Sequence, residues 1–133
     1  MNADMKFLIV DDIETMRRIV KVVLNDLGIN NITEADDGST ALPMLRNGNF
    51  DFLITDWNMP GMPGLELLKQ VRAIEKYAKL PVLMLTAEAK RDQIVAAAKA
   101  GVNGYVLKPF TPELLKQKLT KILSEQTSDA AAG

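Results

Sequence analysis

Asp11 and Asp12 close the run "FLIVDD", Asp56 closes "FLITD", Thr86 closes "VLMLT" and Lys108 closes "YVLK". An ionised carboxylate at the end of a buried run is costly unless it has a partner or a task. If the first and third of these runs are neighbouring strands, Asp11, Asp12 and Asp56 share one small pocket. Their mutual repulsion then raises a pKa or demands a cation. Donors that are all oxygen favour a hard ion, Mg²⁺ or Mn²⁺. Magnesium typically takes only one or two carboxylates and keeps several waters, which leaves a position for a phosphate oxygen. Thr86 and Lys108 add a hydroxyl and an ammonium on the same side. Three carboxylates, one dication and one lysine sum to zero formal charge. That is a poor site for a free anion but a workable one for a phosphoryl group carried on a carboxylate. Asp56 is then the natural nucleophile, because a carboxylate can form an acyl phosphate.

Each residue taken alone has a plainer reading. Asp12 before a helix is also an N-cap residue, and Asp56 before "NMPG" also starts a turn. Thr86 at a strand end is commonly structural, Lys108 commonly solvated, and Tyr105 commonly half-buried with its hydroxyl in water. Their joint placement after the right strands is what favours a site.

Composition narrows the alternatives. A chain of 133 residues suggests one domain able to bury its own core. With 47% apolar and 25% charged residues it has the make-up of a soluble globular protein. A formal net charge of -1 offers no basic field for nucleic acid or anionic lipid. The chain has no cysteine, which excludes disulfides, thiol catalysis and thiolate metal sites and fits a cytoplasmic setting. It has no histidine either, which excludes imidazole bases, His-ligated zinc and Ser-His-Asp triads. "MNADMK" is too short and polar for a signal peptide. No apolar run approaches the roughly 20 residues of a membrane span. Residues 125–133 are small and polar and are expected to form a flexible tail.

The elements that must position these residues are five strands, "KFLIV", "NITEA", "FDFLIT", "PVLMLT" and "GYVLK". Four of the five are nearly continuous apolar runs, as expected of strands buried on both faces. Between them lie amphipathic stretches. The first carries Ile13, Met16, Ile19, Val20, Val23, Leu24 and Leu27 on one face, with Arg17, Arg18 and Lys21 on another and Gly28 as its stop. Shorter helices are expected over Ala41–Leu45, Leu65–Val71 and Ile94–Ala98. The last helix opens with Thr111 as N-cap and Pro112 at the first position. It buries Leu115, Leu119, Ile122 and Leu123, with Lys116, Lys118 and Lys121 toward solvent. Alternating strands and helices with short connections predict a parallel sheet with helices on both faces, a single doubly wound α/β domain. Ligands of such sheets bind beyond the carboxyl ends of the strands.

"LIVDD", "ITDWNMPGMPG", "LMLTAEA" and "GYVLKPF" occur in the order of the segments that define the response-regulator receiver domains of two-component signalling, and the chain resembles that family over residues 5–124. "TMRRIVK", "EADDGSTALPML" and "AGVNGYVLKPFT" resemble its chemotaxis members in particular, and no output domain is expected. The resemblance implies a flavodoxin-like (βα)5 fold with strand order 2-1-3-4-5. It implies a phosphoacceptor signalling protein rather than an enzyme, with Mg²⁺-dependent self-phosphorylation and autodephosphorylation. Asp56 would accept phosphate from a histidine kinase, CheA. Asp12, Asp56 and the Asn58 backbone carbonyl would ligate Mg²⁺, with Asp11 acting through water. Lys108 would pair with the phosphoryl group, Thr86 would hydrogen-bond to it, and Tyr105 would swing inward. The Lys108–Pro109 peptide is expected to be cis. The implied output partner is the flagellar motor switch protein FliM, with CheZ as a possible phosphatase and the chain acting as a monomer. The partner surface would gather Lys90, Arg91, Ala98, Tyr105, Leu107 and Lys118 on one side of the sheet, suited to an acidic amphipathic helix. Ile13 and Glu14 stand where Phe and Ser are expected, and Leu107 where Val or Ile is usual; Glu14 adds a negative charge near the metal.

Other functions fit less well. A receiver serving another two-component pathway needs the same residues. A flavodoxin-like FMN protein needs a phosphate loop after the first strand, where "DDIET" offers carboxylates. An aspartate-nucleophile phosphatase usually carries a second acid two residues on, where Asn58 stands. A purely structural domain needs no carboxylate cluster.

Overall fold

The computed structural model describes residues 4–88 and 90–132, the side chains only as far as residue 125. Five strands, β1 (Lys6–Val10), β2 (Asn31–Ala35), β3 (Phe52–Asp56), β4 (Val82–Thr86) and β5 (Gly104–Leu107), form one parallel sheet in the order β2-β1-β3-β4-β5. They alternate with α1 (Glu14–Asp26), α2 (Gly38–Asn47), α3 (Gly64–Ala73), α4 (Arg91–Lys99) and α5 (Pro112–Ala132); a 3-10 turn at Glu75–Tyr77 precedes β4. The sheet order is the one expected. It makes β1 and β3 neighbours, with Val10 opposite Thr55, so the carboxylates that follow those strands emerge side by side.

Strand alternation divides the core in two. Leu8, Val10, Leu53, Val82 and Met84 pack with α2 and α3 on one face. Phe7, Ile9, Phe52, Ile54, Leu83 and Leu85 pack with α1 and α5 on the other. Phe7 and Phe52 stack with ring centroids 4.7 Å apart across β1 and β3. All five residues of β3 and of β4 are buried, whereas the edge strands β2 and β5 are partly open. The central strands thus read as unbroken apolar runs because both of their faces are covered.

Helix ends follow local chemistry. Asp37 caps α2, its side chain accepting from the Thr40 N–H at 2.7 Å. Thr111 caps α5, accepting from the Leu114 N–H at 3.1 Å. After α1 the chain turns through Gly28 at φ 83°, where a side chain would be strained. α5 is helical in its backbone as far as Ala132; the expected flexible tail, residues 125–133, falls almost wholly where side chains lie outside the described residues.

Two details of α1 differ from the sequence expectation. Ile13 and Ile19 are exposed rather than facing the core, which α1 meets through Val20, Val23 and Leu24. Arg17, expected on another face than the apolar residues, is turned inward with its side chain only 16% exposed. No helix among the described residues is long and apolar enough to cross a membrane.

Candidate functional site

The carboxyl ends of β1, β3, β4 and β5 bring Asp11, Asp12, Asp56, Thr86 and Lys108 together at one edge of the sheet. One carboxylate oxygen from each of Asp11, Asp12 and Asp56 lies within 4.8 Å of the others. Asp11 and Asp56 are buried, while Asp12 is exposed at the mouth. Lys108 Nζ bridges the inner pair, 3.2 Å from Asp11 Oδ2 and 3.0 Å from Asp56 Oδ1. Its side chain is only 13% exposed, so it is not a solvated lysine. The Lys108–Pro109 peptide is cis, and the Lys108 N–H donates to the Thr86 carbonyl at 2.7 Å.

Asp11 is fixed at several points. Its Oδ1 accepts from the Ile13 N–H at 2.9 Å, and its own N–H donates to the Ala35 carbonyl at 3.2 Å. Asp12 makes no side-chain hydrogen bond among the described residues, and it is not a cap. The N-cap of α1 is Ile13, without a side-chain capping bond. Burial pushes the Asp56 carboxyl above the ordinary carboxylate value; the hydrogen bond and charge of Lys108 pull against this, and the charge of Asp11 adds to the rise. One lysine does not balance the acids here. All-oxygen donors with excess negative charge make a pocket that fits a small hard dication.

The loop after β3 holds this end in place. The Gly64 N–H donates to the Trp57 carbonyl at 2.8 Å, and the Trp57 N–H donates to the Leu85 carbonyl at 2.8 Å. Met59 is buried beneath the loop, while Asn58 is exposed two residues beyond Asp56. Glu14 does not turn into the pocket. It is largely exposed and pairs with Arg18 one helical turn on, at 3.3 Å.

Thr86 is buried, and its hydroxyl is already engaged: Oγ1 donates to the Glu88 carbonyl at 2.8 Å and accepts from the Glu88 N–H at 3.2 Å. Behind it lies a cavity of about 10 Å³, bordered among others by Trp57, Met84, Ile94, Ala97 and Tyr105. It is large enough for one water but not for a phenol ring. Tyr105 stands at its rim, 36% exposed.

Lys90, Arg91 and Ala98 are exposed on or just before α4, Tyr105 and Leu107 are exposed on β5, and Lys118 is half-buried on α5. Lys90 Nζ pairs with Glu88 at 3.1 Å. These residues do not lie on one side of the sheet. Ile94 and Ala97 of α4 border the Met84 side, whereas Leu115 and Leu119 of α5 pack on the opposite face. Because β5 is the edge strand, the surface instead wraps around that edge.

Doubly wound topology with an acidic cluster facing a lysine at the strand ends is the arrangement expected of a receiver domain. The chain belongs to the response regulator receiver domain family, whose model matches residues 7–120. It is of the chemotaxis type: it is 70% identical over 118 residues to the chemotaxis protein CheY of Pseudomonas aeruginosa, covering 89% of this chain and 95% of that protein. Among solved structures it superposes on CheY4 of Vibrio cholerae with a TM-score of 0.83 at 37% identity, covering 89% of this chain and 98% of the other. It also matches the receiver domain of the Pseudomonas aeruginosa sensor kinase PA1611, described with a magnesium ion coordinated in its active-site cleft. That match has a TM-score of 0.80 at 26% identity and covers 90% and 98% of the two chains.

A group of residues next to the site was not anticipated. Arg17, Lys21 and Glu34 form a cluster beside Asp11. Their signal in the sequence was only an acidic residue on an edge strand.

Proposed function

We propose that Asp56 accepts a phosphoryl group from a phosphohistidine of a CheA-type kinase, and that the phosphorylated chain binds the FliM motor switch in the cytoplasm. The observation that carries this reading is Lys108 Nζ set between Asp11 and Asp56 at the strand ends, 3.2 and 3.0 Å away. An Asp56 oxygen attacks phosphorus, the P–O bond forms, the P–N bond of the donor breaks, and the donor imidazole leaves with its proton. Asp12, Asp56 and the Asn58 carbonyl would hold Mg²⁺, with Asp11 acting through water. The ion supplies charge neutralisation for the phosphoryl oxygens. Lys108 exchanges its bond with Asp56 for one with a phosphoryl oxygen. The same pocket admits water for self-dephosphorylation, and a CheZ-type phosphatase would act on it.

Asp12 is the clean test of the metal. It has no structural partner among the described residues, so Asp12→Ala should leave the fold intact. It should weaken Mg²⁺ binding by about tenfold, roughly 1.4 kcal/mol, and by more than Asp11→Ala does. Trp57 fluorescence follows the titration, and wild-type affinity in Asp12→Ala refutes the ligand role.

Thr86 provides the switch. To donate to a phosphoryl oxygen, its hydroxyl must release the Glu88 carbonyl, and its movement enlarges the small cavity behind it for Tyr105. Phosphorylation then alters the β5 edge by shifting an equilibrium rather than by contact. Beryllofluoride with Mg²⁺ should tighten binding of a FliM N-terminal peptide by about 5–150-fold, for a coupling of about 1–3 kcal/mol. Thr86→Ala should still take up beryllofluoride yet lose most of that gain. Fluorescence anisotropy measures it, with Lys118→Glu as the surface control. Unchanged affinity on adding beryllofluoride places the output surface elsewhere.

A further inference from the structure

We propose that Arg17 is a positioning residue for the acidic pocket, holding the Asp11–Asp12 turn in the geometry that receives the metal. This rests on the reading that the pocket binds Mg²⁺. The guanidinium reaches back from the first turn of α1, and its Nη1 donates to the Asp11 carbonyl at 2.6 Å. Its Nε donates to Glu34 Oε1 on β2 at 3.1 Å, and Lys21 Nζ donates to Glu34 Oε2, also at 3.1 Å. With the Asp11 N–H on the Ala35 carbonyl at 3.2 Å, both backbone groups of Asp11 are tied to β2, one directly and one through Arg17.

The consequence falls on Asp12. The Asp11 carbonyl and the Asp12 N–H belong to one peptide plane, so fixing that carbonyl fixes the direction in which Asp12 leaves the chain. Asp12 has no side-chain hydrogen bond of its own among the described residues, so its aim depends on this backbone. Arg17 therefore acts through the turn, as outer residues do around metal ligands.

Charge is handled as well. A bare guanidinium this close would oppose a dication. Glu34 offsets it, and although burial works to raise the Glu34 pKa, the hydrogen bonds and charges of Lys21 and Arg17 outweigh it and hold the carboxyl below its ordinary value. Arg17 thus delivers a charge-assisted hydrogen bond with its own charge largely matched.

The test is a Mg²⁺ titration of the full chain read by Trp57 fluorescence, with a thermal melt of each variant. Arg17→Ala should bind Mg²⁺ about tenfold more weakly, although it removes a positive charge. Lys21→Ala touches Glu34 but not Asp11, so it should keep wild-type affinity. Glu34→Gln, which leaves the guanidinium unmatched, should weaken binding. If Arg17→Ala fails to fold, Arg17→Lys serves, since one ammonium cannot replace both donors, and it too should bind more weakly. Wild-type or tighter affinity in a folded Arg17 variant overturns the proposal and leaves Arg17 a purely stabilising residue. Equal weakening in Lys21→Ala overturns it too. Wild-type protein that binds no Mg²⁺ takes the functional reading down as well, so the wild-type arm separates the two failures.

Discussion

Asp56→Asn is expected to abolish Mg²⁺-dependent phosphoryl uptake from small acyl phosphates altogether while making the unphosphorylated protein more stable. An amide cannot form the acyl phosphate, and Asp11, the other buried carboxylate paired with Lys108, already has its second oxygen engaged by the Ile13 N–H. The stability gain follows from burial. Asp56 is 4% exposed and its pKa is raised, by burial first and with Asp11 adding to it, so the folded state holds the Asp56 proton more tightly than the unfolded state does. Stability therefore falls as pH rises from the ordinary carboxylate value through the raised one. Above that window the folded protein carries an ionised, incompletely balanced carboxylate, and below it the penalty is absent. Asp56→Asn removes the penalty while its Oδ1 still accepts from Lys108. In EDTA at neutral pH the variant should melt higher, by on the order of 1 kcal/mol or about 4 °C, and the difference should shrink in acid. Full-stoichiometry labelling of Asp56→Asn would falsify the phosphoacceptor assignment; a lower melting point at neutral pH would remove the electrostatic account of the site.

Most of this arrangement was legible in the sequence because it depends on strand ends. Continuous apolar runs marked β1, β3 and β4 as buried, and a polar residue at the close of each run can only emerge at one edge of a parallel sheet. Asp11, Asp12, Asp56, Thr86 and Lys108 were therefore found together without any contact being known. Arg17 was missed for the opposite reason. Helical periodicity gives the direction in which a Cα faces, but a long guanidinium side chain can fold back along apolar surface to a partner that periodicity does not place. Here that partner was the Asp11 carbonyl, a backbone atom with no side-chain signature, reached together with Glu34 on β2. Ile19 shows the same limit from the other side: it keeps the spacing of a core residue yet lies 40% exposed. The β5 and α4 residues expected at a partner surface are exposed, but with α5 they wrap around the β5 edge and do not share one side of the sheet. Which face each crossover helix takes is a property of the assembled sheet and not of any one segment.

Gly64 had no functional signal in the sequence, yet its substitution is expected to have the largest structural effect at the site. A Cβ built there would lie 2.2 Å from the Asp56 carbonyl oxygen, 2.9 Å from Met84 Sδ and 3.0 Å from the Trp57 Cα. The nearest of these is backbone, so no side-chain rotation relieves the clash, and either α3 or the end of β3 must move. The Gly64 N–H bond to the Trp57 carbonyl, 2.8 Å, closes the same loop and would be strained by either shift. Overpacking typically costs about 1–3 kcal/mol, and a backbone clash belongs at the upper end. Gly64→Ala should lower the melting temperature by roughly 10 °C and, by displacing Asp56 and Asn58, weaken Mg²⁺ binding beyond what Asp12→Ala does. Gly61 supplies the contrast. It sits at φ 80° with its nearest foreign atom, Ser39 Oγ, 3.9 Å from an added Cβ, so Gly61→Ala meets only the left-handed backbone cost of about 1–2 kcal/mol. Because that strain is local to an exposed turn, Gly61→Ala should lose stability but keep most of its metal affinity. Thermal melts and Trp57-detected Mg²⁺ titrations of the two variants separate the mechanisms. If Gly64→Ala melts and binds like wild type, the close seat of α3 on the end of β3 does not govern the site.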